Sequence, residues 1–148
     1  MINLLRNILT NQNSTELEDD NSKLELLCGL MIEAAYTDGT IGESELKKIK
    51  FSLINVFDEN EKEVDLVLDQ AIKNKNNSKS LHYYTSFINK NFDSDKKLLL
   101  IEALWEIVLS DGEIHDFESN LIRRLAGLLY ISDVKSGNAR KRALNKNS

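Results

Sequence analysis

The stretch from Glu33 to Ile49 returns as Glu106 to Ile122 at a constant offset (111 − 38 = 73). Six positions are identical: Glu33/Glu106, Asp38/Asp111, Gly39/Gly112, Ile41/Ile114, Glu45/Glu118 and Ile49/Ile122. Each copy sets Asp-Gly between two segments whose apolar residues recur at three and four, the spacing of one helix face. Glycine just past a helix takes the left-handed conformation without steric cost, so each Asp-Gly predicts a tight reversal between two helices. A helical hairpin buries its apolar stripes only against another layer. Using one hairpin twice therefore predicts two related halves packed together.

The rest of the chain agrees with helix. Proline is absent, glycine occurs six times, and 41% of the 148 residues are apolar, enough for one domain with a sizeable core. The expected fold is an all-α, single-domain helical bundle of about seven helices with two pseudo-symmetric hairpins. Residues 1–21 read as a short helix, Met1 to about Thr10, and a polar acidic linker; residues 22–148 read as the helical domain. Helices are predicted over Leu24–Thr37, Glu43–Phe57, about Val64–Ile72, Leu81–Asn91, Lys97–Ser110, a stretch after Gly112, and Asp133–Leu144. Asp93 or Ser94 can cap the fifth of these. Lys97–Ser110 leaves little room for a polar face and is expected at the centre of the core. In the stretch after Gly112, Phe117, Leu121, Ile122, Leu125, Leu128 and Leu129 keep the helical period.

Charge narrows the partners. Acidic residues outnumber basic ones 24 to 19, a formal charge of −5, which argues against general binding to nucleic acid or anionic membranes. The C-terminal stretch is locally basic, with Lys135, Arg140, Lys141, Arg142 and Lys146, and together with Arg123 and Arg124 it could dock an acidic protein partner. Cys28, the single cysteine, lies in the apolar run Leu26-Leu27-Cys28-Gly29-Leu30 and is expected to be a buried, inert thiol. Lacking a cleavable leader pattern and any apolar run of membrane-spanning length, the chain is expected in the cytoplasm.

Asp-Gly-x-Ile-x-x-x-Glu is also the second half of an EF-hand calcium loop, which allows a test by position. Such a loop needs oxygen ligands at its first and third places, and here these are Ala34 and Tyr36, then Ile107 and Leu109. One hairpin offers only Asp38 and Glu45, or Asp111 and Glu118, too few for a cation. If the halves pack about a pseudo-twofold axis, these four can converge, with Glu33 and Glu106 as further candidates. An oxygen-only set suits Ca²⁺, Mg²⁺ or Mn²⁺, and neither clustered histidines nor paired cysteines are present for zinc. A plainer reading stands beside it. Glu45 lies three residues after Gly42 and Glu118 three after His115, so each can reach back to the first free amide of its helix as in a capping box. Asp38 and Asp111 can likewise tie their own turns.

The blocks Glu33-Ala34-Ala35-Tyr36-Thr37-Asp38-Gly39-Thr40-Ile41, Leu104 to Glu118 and Leu121-Ile122-Arg123-Arg124 resemble the TerB-like domain family. That family is named for tellurite resistance protein B and is related to the N-terminal domain of the co-chaperone DjlA. The resemblance implies an all-helical pseudo-symmetric bundle, acidic positions that chelate a divalent cation, and a link to tellurite resistance and stress response. Two departures stand out. Gly42 takes the place of an acidic or hydroxyl capping residue, and no J-domain is present, since its His-Pro-Asp turn needs a proline.

Enzyme signatures are weak. His82, His115-Asp116 and Asp133 follow the order of residues in helical phosphohydrolases, but His115 falls inside the repeat, where a helix start explains it. The Glu-x-x-His spacing of di-iron bundles and a glycine-rich phosphate loop are both missing. The expectation is a non-enzymatic module that binds a cation and acts by protein interaction, with a metal-free scaffold or adaptor as the alternative.

Overall fold

A computed structural model describes residues 23–36, 41–74, 79–110, 112 and 115–146. These form seven helices: α1 (23–35), α2 (Glu43–Asn55), α3 (Glu61–Lys73), α4 (Leu81–Asn91), α5 (Ser94–Val108), α6 (Asp116–Leu128) and α7 (Asp133–Lys146). No strand occurs among the described residues. The all-α bundle expected from the sequence is the fold observed. The expected N-terminal helix, the linker over residues 11–21 and the first reversal at Asp38-Gly39 lie outside the described residues.

Local chemistry explains the boundaries. Asp93 caps α5, its Oδ1 accepting the Lys96 N–H at 2.8 Å, while Asn60 caps α3 through the Lys62 and Glu63 amides and Ser80 caps α4 through that of Tyr83. Gly112 has φ +80° and its N–H returns to the Leu109 carbonyl at 3.1 Å, the left-handed reversal expected after the second copy's first helix. At the end of α6, the Tyr130 N–H meets the Gly127 carbonyl and the Ile131 N–H that of Ala126, the paired bonds of a Schellman closure. The left-handed residue in that closure is Tyr130 (φ 62°), where glycine is usual. For a residue with a side chain this conformation costs on the order of 1 kcal/mol.

α5 is the axis of the molecule. Every residue from Leu100 to Val108 is buried, and the helix packs against α2, α6 and α7. α3 lies on α2 and α4 on α6, and one continuous core joins α1 to the rest through Leu27, Leu30, Met31 and Ala34. Cys28 is fully buried, and burial pushes its thiol up to about 12. Not every apolar residue on the helical period faces inward. Phe117 (63% exposed) and Leu128 (42%) stay outside because the buried ladder of α6 runs through Glu118, Ile122, Leu125 and Leu129. Both sit about 100° around the helix from that ladder.

α5 itself carries two buried glutamates, Glu102 and Glu106. α7 answers them. The Lys146 ammonium donates to Glu102 Oε2 and pairs with Glu106 Oε1, both at 3.1 Å, while Arg142 donates through Nε to Glu102 Oε1. Nearer the start of α7, Trp105 Nε1 donates to Ser136 Oγ at 3.4 Å, and the Arg140 guanidinium lies over the indole, 5.6 Å from its centroid. Burial alone would raise the Glu102 carboxyl, but hydrogen bonds and charge from Arg142 and Lys146 hold it below its ordinary 4.5. Lys146 is raised above 10.5, chiefly by its bond to Glu106 and then that to Glu102.

Lys146 is about half exposed, so its removal should cost less than the 3–5 kcal/mol of a fully buried pair and more than an exposed one. Lys146→Met should lower the unfolding free energy in urea by about 1–2 kcal/mol. The linkage has two signs. The lowered carboxyl contributes stability above pH 4.5 that is lost as pH falls, and the raised lysine contributes stability below pH 10.5 that is lost as pH rises. Stability measured against pH should therefore fall at both ends, and in Lys146→Met the alkaline fall should flatten.

Candidate functional site

Two hairpins carry the repeated acidic residues, α1 with α2 and α5 with α6. Glu45 and Glu118 occupy the third position of α2 and α6, and both are buried, 8% and 3% exposed. Residues so early in a helix would ordinarily face water. In the first hairpin the reach-back expected from the spacing is realised: Gly42 N–H donates to Glu45 Oε1 at 3.2 Å. Glycine at this cap has a local reason. A Cβ on Gly42 would stand 3.3 Å from the same Oε1, so a larger cap would crowd the glutamate that folds back on its amide.

The upstream pair separates. Glu106 is engaged by Lys146 on the α7 side of α5. Glu33, partly buried on α1, has its carboxyl raised by burial, and its charge is felt by the phenol of Tyr84 on α4. Asp38 and Asp111 lie outside the described residues, so the turn carboxylates of the site are not located. Among the described residues, no three aspartate, glutamate, histidine or cysteine side chains gather closely enough to hold a metal ion. Glu45 and Glu118 could thus hold a cation only with ligands from the turns.

Glu102 was not among the sequence candidates, yet both Arg142 and Lys146 engage its buried carboxylate. Its signal was present as two spacings. Glu102 and Glu106 stand four apart in the otherwise apolar run from Leu98 to Leu109, and Arg142 and Lys146 stand four apart in the basic helix, each pair lining one helix face. A cavity of about 410 Å³ lies elsewhere, lined by Lys23, Phe57, Glu59, Asn60, Glu63 and Lys96 among others, and none of the four candidate carboxylates among the described residues borders it. His82 meets Ser86 on its own helix at 3.3 Å. No helix among the described residues is long and apolar enough to cross a membrane.

A family model described as tellurite resistance protein TerB matches residues 24–141, which takes in both hairpins and most of α7. No curated protein and no solved structure matches the chain significantly.

The contact between Gly42 and Glu45 makes a defined prediction. Glu45→Ala removes the acceptor of the Gly42 amide and should cost roughly 1 kcal/mol in urea unfolding. Glu45→Gln keeps a carbonyl oxygen within reach of that amide and should stay within about 0.5 kcal/mol of the parent.

Proposed function

Since the chain belongs to the tellurite resistance protein TerB family, we propose that it is a non-enzymatic helical module. Its two acidic hairpins together bind a divalent cation, Ca²⁺, Mg²⁺ or Mn²⁺, and it acts by protein interaction in a tellurite-resistance-like stress response. One observation carries the reading: Glu45 and Glu118, at equivalent places in the two halves, are both buried. A carboxylate withdrawn from water needs hydrogen bonds or positive charge to stay ionised. The donor set also fits. Glu45 and Glu118, with Asp38 and Asp111 from the turns, offer carboxylate oxygens alone, the chemistry of a hard cation. The ion would offset two of the four negative charges and tie the two hairpins together.

The second reading, a metal-free scaffold whose acidic residues cap helices, is favoured by the bond from Gly42 N–H to Glu45 Oε1. The two readings part in one experiment. Millimolar Ca²⁺, Mg²⁺ or Mn²⁺ should raise the thermal midpoint of the parent. At a hundredfold excess over Kd, ligand binding adds about 2.7 kcal/mol, roughly 5–10 °C for a domain of this size. Asp38→Ala with Asp111→Ala should abolish the rise. An unchanged midpoint in the parent with all three ions would leave the scaffold reading.

A further inference from the structure

Tyr130 sits in the left-handed closure of α6 with its ring 85% exposed. Its side chain fills no core space, and its backbone conformation is one that glycine would adopt freely. Neither packing nor local geometry accounts for an aromatic residue here. Its surroundings suggest what does. Lys97, from the first turn of α5, holds its ammonium 5.6 Å from the centre of the Tyr130 ring. Four residues on, in the first turn of α7, Val134 is 72% exposed, followed by the exposed Lys135. Asp133 is the one acidic residue of α7, against five basic ones. Arg142 and Lys146 are already engaged by Glu102 and Glu106, and the Arg140 guanidinium lies over Trp105, whereas Lys135 and Lys141 are exposed, Lys135 next in the chain to Val134.

We propose that Tyr130 and Val134, framed by Lys97 and Lys135, form a docking surface for an acidic segment of a protein partner that carries an apolar residue. The aromatic and aliphatic side chains supply the anchor, and the lysines supply the sign. Tyrosine is among the residues enriched in interaction hot spots, and complementary charge raises both encounter rate and selectivity. The surface lies on the α5 start and the α6–α7 junction, so it needs no cation in the hairpins. It deepens the reading that the module acts by protein interaction and is independent of the reading that it binds metal.

The test uses the full chain, labelled with ¹⁵N, and a short synthetic peptide in which glutamates flank a leucine-phenylalanine pair. Amide shifts should move around Lys97, Tyr130 and Val134, and a glutamine counterpart of the peptide should bind roughly tenfold more weakly or worse. Tyr130→Gly is the decisive variant, because relief of the left-handed strain should raise its thermal midpoint while peptide affinity falls roughly tenfold or more. Val134→Asp should weaken binding with the fold intact. Undiminished binding by Tyr130→Gly, perturbations confined to another face, or no binding of the peptide at millimolar concentration would each overturn the proposal. Loss of cation binding with peptide binding retained would instead count against the metal site alone.

Discussion

A helix with no polar face must be covered on every side, and α5 is such a helix. From Leu100 to Val108 it exposes almost nothing, so α2, α6 and α7 are each placed by the need to cover it. The hydrophobic effect sets that demand without specifying direction. Direction comes from the two carboxylates on the same helix. Glu102 and Glu106 are tolerable in the interior only where positive charge reaches them, and Arg142 and Lys146 do so from α7. The most apolar helix and the most basic one are thus partners for a polar reason as well as an apolar one.

This arrangement separates two uses of acid in the chain. Glu106, a member of the repeated set, serves the α5–α7 contact, and its counterpart Glu33 faces the side of the bundle where Tyr84 lies. Glu45 and Glu118 keep equivalent places in their hairpins, buried at the starts of α2 and α6. The proposed cation site therefore rests on these two with the turn aspartates. Gly42 belongs to the same design: it leaves room for Glu45 to fold back on its amide.

Much of the fold was legible because its signals are local. The run Leu98 to Leu109 announced a buried helix, Asp93 announced its start, and Gly112 announced the reversal after it. The clamp on α5 was less legible, since Glu102 and Lys146 are far apart in sequence and only matching i, i+4 spacings hinted at their meeting. Phe117 keeps the helical period yet lies outside, because the register of α6 is fixed by Ile122 and Leu125 against the core. Tyr130 carried no glycine to mark a left-handed closure, so its backbone could be found only from structure. The acidic site was legible as a repeat of residue types, whereas convergence depends on the turns at Asp38 and Asp111.

A cation site shared by the two hairpins, as proposed, fixes the stoichiometry of bound Mn²⁺. Titration of the full chain followed by electron paramagnetic resonance should give one bound ion per chain, lost on either Asp38→Ala or Asp111→Ala alone. Two independent ions per chain, or none, would contradict it.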